Sequence, residues 1–440
     1  MNSRTYDFQD MMQNEFKDYA LYTISERAIP NLIDGLKPVQ RMVLYSCLIN
    51  TSKDFRKVSA LAGIISDYGY NHAETSAAGA LSLMAADWNS SVNLVEGRGN
   101  FGTRLNPSCG AARYIYARVH QDFYKYFGKD LDLCPVHEDP EHVPPKYYLP
   151  VIPLVVCGSI SGIATGFKTK ILPRKIEDVI TCCKEYINTK KITTVPRIYY
   201  PNFKGDISSV NDSWRILGKI TRKSKTKIKI EELPWGFYTV ESYKTYLDKC
   251  EEKRLIVSYS ENCTDKIDFD IVLKNNNTYS DDDLYNILGL KKHVMENLNV
   301  IDENNTLVEY TNVQDIIRDF CKHRLIVLSK RIQKELSSEK QILEWLLVKR
   351  KFIEAIITNK LVFTHQKTRS MIIKEIESCG ISSNKEHTLR CLDMNFLSLT
   401  KEEINKCDKK ISETNKKISY WKNTTQEKEF IKDLDDLDKV

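Results

Sequence analysis

Proline and glycine are distributed so unevenly along this chain that they divide it into two parts of different architecture. All thirteen prolines lie at or before Pro234, and from residue 290 to the end of the 440 residues the single glycine is Gly380. Because both residue types interrupt helices, the final third is predicted to be mostly helical. The first 150 residues contain many loops, where functional residues are usually found.

The helical part contains one unusually long periodic segment. Between residues 311 and 361 apolar side chains recur every three or four positions, with charged residues between them. This spacing predicts one very long amphipathic helix, or two in line, of about 70 Å at about 1.5 Å per residue. A coiled-coil arm is favoured. Thr400 followed by Glu402 and Glu403 predicts the start of a second helix, over residues 399–421, which could return antiparallel.

Composition excludes a membrane-spanning protein and leaves nucleic-acid binding open. The net charge of +6 is too small to indicate nucleic-acid binding from the total alone. No apolar run approaches the roughly 18 residues that cross a bilayer, and the first thirty residues lack the apolar stretch of a signal peptide. We therefore expect a cytosolic protein whose twelve cysteines, with no C-x-x-C pair, are reduced and mostly buried.

Three motifs suggest ligands but are weak. The sequence GRGNFG at residues 97–102 matches a dinucleotide fingerprint, yet the residues after it cannot start the required helix. His137 and His142 in HEDPEH fit no zinc spacing, and the prolines around them favour a solvated turn. Asp268 and Asp270 alternate as in a strand and could hold magnesium, but an exposed strand face explains them equally well.

Residues 214–230 carry seven basic side chains and no acidic one. Lysine alternates with threonine or isoleucine at the end of this segment, which predicts a strand with one strongly basic face. A solvated edge strand protected by lysines and a face that contacts phosphates both fit this pattern.

An arginine precedes a tyrosine in the sequence AARYIYAR, at Arg113 and Tyr114. Between Arg27 and Arg118 there are ten basic and six acidic side chains, a local charge of +4. A tyrosine oxygen can attack phosphorus while guanidinium groups neutralise the developing charge, so the pair suits phosphodiester chemistry. Without further context, a structural tyrosine explains the dipeptide more often.

Several longer segments occur in an order and spacing that resemble one family, the breakage-reunion subunit of type IIA DNA topoisomerases. The length of the chain is most similar to that of bacteriophage members. The segments are ERAIPNLIDGLKPVQRMVLY (26–45), YNHAETSA (70–77), VEGRGNFGTR (95–104), AARYIYAR (111–118), YYLPVIPLVVCGSISGIATGFKTKILP (147–173), EELPWGFYTVESYKTYL (231–247) and CLDMNFLSLTKEEI (391–404).

The resemblance implies a set of catalytic residues. Tyr114 would be the nucleophile that forms a phosphotyrosine with the 5′ end of cut DNA, and Tyr116 would be a bystander. Arg113 and Arg27 would hold the scissile phosphate. His72 would transfer a proton or donate a hydrogen bond to the phosphate.

The resemblance also implies DNA-binding residues. Ile171 would wedge between base pairs and bend the duplex. The other implied DNA contacts are Arg41, Lys37, Arg56, Lys57 and Arg104. Four positions depart from the usual pattern of the family, namely Asn71, Ala73, Met42 and Leu172.

The implied fold is a multidomain α+β protein. Residues 1–25 would form an arm to a partner subunit, and 26–152 a winged-helix DNA-cleavage domain. Residues 153–310 would form a mixed α/β tower domain along flanking DNA, and 311–440 a long coiled-coil arm with a dimer gate near 391–399. Asp268 and Asp270 would then be structural.

The resemblance implies partners as well. Two copies would be needed, because each tyrosine cuts one strand of double-stranded DNA. A large partner subunit would bind ATP and hold Mg²⁺ in its TOPRIM domain, with no metal site in this chain. The assembled enzyme would relax or decatenate DNA in the cytoplasm of a bacterial host. A noncatalytic DNA-binding scaffold and a partner-independent tyrosine nuclease or recombinase are the alternatives.

Overall fold

The computed structural model describes residues 7–438, apart from positions 52–53, 265, 275–278, 365 and 383 and the side chain at 396. These residues form two compact units. The first contains the chain up to Arg324 together with the segment from Asp433, and the second is Leu325–Lys432. Helices alternate with antiparallel sheets in the first unit and dominate the second, which confirms the predicted α+β class.

The amino-terminal part of the first unit packs short helices beside a small antiparallel sheet. The helices are α1 (Phe8–Gln13), α2 (Glu15–Thr23), α3 (Pro38–Asn50), α4 (Val58–Ile64), α5 (Glu74–Met84) and α6 (Gln121–Phe127). The strands are β1 (Arg56–Lys57), β2 (Val95–Arg98) and β3 (Tyr116–Val119), in the order β1-β3-β2. The order α3, β1, α4, α5, β2 and β3 is that of the predicted winged helix.

The rest of the first unit is built mainly from antiparallel strands. Two hairpins pair β4 with β5 and β13 with β14, and two larger sheets have the orders β12-β7-β6 and β10-β11-β9-β8. The elements are β4 (Ile160–Ile163), β5 (Lys168–Ile171), α7 (Ile176–Thr189), β6 (Asp206–Val210), β7 (Ser213–Leu217), β8 (Lys219–Arg222), β9 (Lys227–Glu232), α8 (Val240–Glu252), β10 (Ser258–Glu261), β11 (Phe269–Val272), α9 (Asp281–Ile287), β12 (Lys291–Val294), β13 (Leu298–Ile301) and β14 (Leu307–Tyr310).

The single basic strand predicted for residues 214–230 is wrong. The segment forms β7, β8 and the start of β9, and β7 belongs to a different sheet from the other two strands. Gly218 allows the break, because a Cβ atom there would lie 2.5 Å from the carbonyl oxygen of Glu232. A continuous basic face therefore does not form.

Acidic side chains of neighbouring elements pair with the basic residues of this segment. Lys223 Nζ lies 2.8 Å from Asp270, and Lys229 Nζ lies 2.6 Å from Asp268. Arg222 is bound in the same way by Asp281 at 2.8 Å. Asp268 and Asp270 thus hold strand β11 to its neighbours, which confirms the prediction that both are structural.

The second unit contains most of the long helical arm that the periodicity predicts. The helices are α10 (Val313–Ile357), α11 (Arg369–Ser378), α12 (Lys385–Leu392), α13 (Lys401–Asn423) and α14 (Gln426–Asp438). Helix α10 has 45 residues, and Thr400 caps α13 by accepting a hydrogen bond from the N–H of Glu403. Among the described helices, none is long and apolar enough to cross a membrane.

Ion pairs between α10 and α13 confirm that the second helix returns antiparallel. Lys349 pairs with Glu403 at 2.7 Å, near the start of α13. Glu339, ten residues earlier on α10, pairs with Lys417 near its end at 3.0 Å. The cysteine prediction is confirmed as well, since all twelve are free thiols and eight are buried.

A buried carboxylate joins three segments of the first unit. Asp34 Oδ1 accepts hydrogen bonds from the Leu36 N–H and Arg41 Nη2, both at 3.0 Å. Its Oδ2 accepts from Arg41 Nε at 2.8 Å and from the Tyr148 N–H at 3.0 Å. Because four donors surround the fully buried Asp34, the pair meets the conditions under which a buried ion pair is well compensated.

We expect Asp34→Asn to lower the free energy of unfolding of the first unit by about 3–5 kcal/mol, since it leaves the charge of Arg41 buried without a counterion. Urea denaturation followed by circular dichroism measures this. The matched control is Asp268→Asn, which removes the charge of a half-buried partner of Lys229 and should shift the midpoint far less. Equal shifts would contradict a special role for Asp34.

Candidate active site

Tyr114 lies in a turn immediately before β3, and its neighbours hold the backbone of this turn in place. The N–H of Val58 donates to the Ile115 carbonyl at 3.0 Å, and the N–H of Ser59 donates to the Ala112 carbonyl at 3.1 Å. The Ile115 side chain is buried, whereas Tyr114 is 69% exposed. The start of α4 and the Ile115 anchor therefore fix a turn that presents the phenol to solvent.

The surroundings of Tyr114 are cationic. The guanidinium carbon of Arg113 lies 4.9 Å from the centre of the Tyr114 ring. In the sheet, Lys57 and Arg98 stand opposite Tyr116 on its two sides, so these three side chains share one face. Lys57 and Arg98 are both exposed. The sequence did not single out Arg98, because only strand pairing brings it and Lys57 to positions two residues from Tyr114.

Arg27 and His72 form a second group, together with two tyrosines. His72 Nε2 lies 2.7 Å from the hydroxyl of Tyr22, and its ring meets the ring of Tyr70 edge-on at 5.3 Å. Arg27 is exposed in a π-helical turn, Ile24–Ala28, a rare geometry that is frequent at functional sites. Burial raises the pKa of Tyr70, and the nearby charge of Arg27 partly offsets this effect.

The predicted catalytic residues thus occur in two groups. Among the residues that the structure describes, no hydrogen bond, ion pair or ring contact connects Arg27 or His72 with Arg113 or Tyr114. Both groups present exposed polar side chains. A substrate that is long and negatively charged could contact both at once.

The DNA wedge predicted at Ile171 stays a prediction, and the structure buries this side chain. Ile171 is completely buried at the end of β5, so its side chain cannot reach a base step while the hairpin is folded. Ile163, at the tip of the same hairpin, is 85% exposed, and Phe167 across the turn is partly exposed. The exposed Lys168 follows directly. Exposure, which the sequence does not show, distinguishes the two isoleucines.

The hairpin is fixed to the turn that carries Arg27. A Cβ atom at Gly162 would lie 2.1 Å from the Ala28 carbonyl oxygen, so only glycine permits this approach. Lys37 Nζ donates a hydrogen bond to the Ser161 carbonyl at 2.7 Å, and burial lowers the pKa of Lys37. Arg27 and Ile163 therefore share one rigid support, and Lys37 belongs to it.

Two other residues predicted to contact DNA, Arg41 and Arg104, already bind acidic side chains of the protein. Arg41 is 8% exposed and bound to Asp34, and DNA contact by it stays a prediction. Arg104 forms an ion pair with the buried Glu232 and stacks on Trp235 with its guanidinium carbon 4.6 Å from the ring centre. Arg41 and Arg104 thus both make ion pairs inside the protein, and DNA contact by Arg104 also stays a prediction. Arg56 and Lys57 are exposed, and DNA contact by them stays a prediction.

Comparison with known proteins identifies the family. The family model for the A subunits of DNA gyrase and topoisomerase IV matches residues 27–436. The DNA topoisomerase medium subunit of Enterobacteria phage T4 is 34% identical over 447 aligned positions, covering 99% of both chains. DNA topoisomerase 2 of Plasmodium falciparum is 30% identical over 86% of this chain, which spans 28% of that relative.

A solved structure agrees with this. The crystal structure of the Plasmodium falciparum topoisomerase II DNA-binding, cleavage and re-ligation domain matches with a TM-score of 0.86 and 27% identity, covering 98% of this chain and 64% of that one. The chain belongs to the family of DNA gyrase and topoisomerase IV A subunits. It is the DNA-cleaving and rejoining subunit of a type II DNA topoisomerase, as the sequence resemblance implied.

We expect Arg104→Ala to lower the thermal unfolding midpoint while leaving the salt dependence of DNA affinity unchanged, because its charge is committed to Glu232. Lys57→Ala should leave the thermal unfolding midpoint unchanged. It should reduce the slope of log affinity against log salt by about 0.9, the effect of one lost phosphate contact. Fluorescence anisotropy with labelled duplex at several salt concentrations measures both. A reduced slope for Arg104→Ala would contradict its structural role.

Proposed function

We propose that Tyr114 is the residue that cuts and rejoins DNA. Its phenolic oxygen loses its proton and forms a bond to phosphorus while the bond from phosphorus to the 3′ oxygen breaks, and the 3′ oxygen takes up a proton in turn. The result is a 5′-phosphotyrosine, and the reverse reaction reseals the strand. The observation that carries this proposal is an exposed phenol on a fixed turn among cationic side chains.

The neighbouring residues bind the phosphates, stabilise the developing charge and move the proton. Arg113, beside the phenol, stabilises the negative charge that develops on the phosphate oxygens, and Lys57 and Arg98 hold the adjacent backbone phosphates. Arg27 binds the scissile phosphate from the other group. His72, already hydrogen bonded to Tyr22, orients the phosphate or moves the proton.

Magnesium comes from a partner in this proposal. Mg²⁺ needs oxygen ligands, usually carboxylates, and the groups around Tyr114 are arginines and a lysine that repel a cation. These residues therefore do not fit a magnesium site. The partner's TOPRIM domain would hold Mg²⁺, and the partner would also bind ATP.

The amino-terminal arm is the proposed contact with this large subunit. No residue of α1 is buried, and apolar side chains along α1 and α2 are exposed, including Phe8, Met11, Phe16 and Tyr19. Such a row of exposed apolar residues is typical of a surface that a partner covers. We assign residues 1–25 to this role.

We give the remaining segments the domain roles that the sequence resemblance implies. Residues 26–152 would cut DNA, 153–310 would hold flanking DNA, and 311–440 would form the arm and dimer gate. Leu397, in the predicted gate, is 82% exposed, as expected for a residue that a second copy covers. Two copies would cut both strands and pass a second duplex, in the cytoplasm of a bacterial host.

We further propose that Ile163, rather than Ile171, enters the DNA stack. It projects from a hairpin tip whose strand β5 contributes the exposed lysines Lys168 and Lys170. An apolar wedge flanked by cations is the usual device for kinking a duplex, since the cations hold the phosphates on both sides of the opened step.

Tyr114→Phe should abolish covalent attachment of DNA, because it removes the nucleophilic oxygen and leaves the ring in place. The measurement mixes the chain with its ATPase/TOPRIM partner, magnesium and end-labelled duplex, denatures rapidly and counts label on protein. Tyr116→Phe is the matched control and should trap DNA as wild type does.

Two outcomes would contradict this assignment. Label that remains on Tyr114→Phe would exclude Tyr114 as the nucleophile. Normal DNA binding without any trapping by the wild type would favour a noncatalytic scaffold.

Ile163→Ala should reduce DNA bending by at least about half without unfolding the protein, since an exposed side chain contributes little to the core. Energy transfer between dyes at the two ends of a short duplex measures the bend. Ile171→Ala, which leaves a core cavity, should instead lower stability by about 2–5 kcal/mol and leave bending intact in the folded fraction. Loss of bending in Ile171→Ala alone would restore the original assignment.

A further inference from the structure

The structure brings Glu26 to two histidines, His137 and His142, that lie more than a hundred residues further along the chain. Glu26, His137 and His142 each offer one ligand atom, and these atoms all lie within 4.8 Å of one another. We propose that they form a binding site for Zn²⁺ or a similar borderline divalent ion. No spacing rule could reveal this site, because the carboxylate precedes the histidines by more than a hundred residues.

The two histidine rings lie together but are stacked, so at least one must rotate before a nitrogen of each, whose lone pair lies in the ring plane, can point at one ion. Their rings stack with centres 4.4 Å apart, and His137 Nδ1 accepts a hydrogen bond from the Asp139 N–H at 3.0 Å. His142 Nδ1 is buried and has no hydrogen-bond partner among the described residues, although the Asp139 carboxylate lies 3.4 Å away. A buried ring nitrogen without a partner costs free energy, and a metal or a proton shared with Asp139 would remove that cost.

The set of donor atoms selects the class of ion. Two imidazole nitrogens and one carboxylate oxygen suit Zn²⁺ and its neighbours, whereas Mg²⁺ and Ca²⁺ prefer oxygen donors alone. Ligand atoms about 2.1 Å from a tetrahedral ion lie about 3.4 Å apart, so small side-chain rotations would close the site. A cavity of about 260 Å³ borders Glu26 and His137 and has room for a water molecule as fourth ligand.

The proposed metal site lies beside Arg27, so metal binding would affect the turn that carries this residue. Glu26 belongs to the same π-helical turn as Arg27, Ile24–Ala28. A metal bound there would tie the loop at residues 137–142 to this turn and limit the movement of Arg27. This consequence rests on the proposed function, whereas the metal site itself does not.

Metal binding by the purified full chain tests the proposal. Chelator-treated protein is dialysed against Zn²⁺ or Co²⁺, bound metal is counted by mass spectrometry, and Co²⁺ coordination is read from its visible spectrum. We expect one ion per chain and a loss of at least about tenfold in affinity in Glu26→Gln, His137→Gln and His142→Gln. Zn²⁺ should also raise the thermal midpoint of the wild type and not of these variants.

The control is His293→Gln, which changes an exposed histidine on β12 and should leave binding unchanged. All variants keep the same cysteines, so adventitious binding to thiols is constant across the set. Equal binding by the wild type and the triple variant would overturn the proposal, provided circular dichroism shows that the variant is folded.

Ion binding and DNA trapping are separate measurements, so the metal site and the proposed function are tested independently. Tyr114→Phe should bind the ion as the wild type does. If the wild type binds the ion but traps no DNA with its partner, the catalytic assignment fails and the metal site stands. If the wild type traps DNA but binds no ion, the metal site fails and the catalytic assignment stands.

Discussion

The buried pair of Asp34 and Arg41 is the contact on which the cleavage region depends. One carboxylate fixes the loop after the Arg27 turn, the start of α3 and the segment at Tyr148, because it accepts a hydrogen bond from each. Such a pair tolerates no loss of a partner, since the remaining charge would be left in a medium that cannot solvate it. The arrangement of the surrounding surface follows from this internal contact.

The side chains that we propose to act on DNA are exposed, but the backbone beneath each of them is fixed. Tyr114 projects from a turn anchored by Ile115 and by the N–H groups at the start of α4. Ile163 projects from a hairpin that Gly162 and Lys37 hold against the segment of Arg27. An enzyme that holds both ends of a broken duplex needs this combination, because small displacements of the reacting groups would prevent rejoining.

Sequence reasoning succeeded where local rules decide, whereas the environment of individual side chains was visible only in the structure. Periodicity and the Thr400 cap located α10 and α13, because helix formation depends on neighbours three and four residues away. The motifs also identified the family. By contrast, Ile171, Arg41 and Arg104 were predicted to contact DNA, yet all three make buried or partly buried contacts inside the protein. A motif gives the residue type and its place in the chain, not the direction in which its side chain points.

The sequence by itself determined the class of fold, the long helical arm, the family and the position of the Arg113-Tyr114 pair, because each is written in contiguous residues. Only the tertiary structure decided which charges are free. It placed Asp268 and Asp270 against lysines, set Lys57 and Arg98 on one face near Tyr114, and brought Glu26 to two histidines. The physical reason is that pairing and burial depend on distances in space between residues that the chain separates by tens of positions.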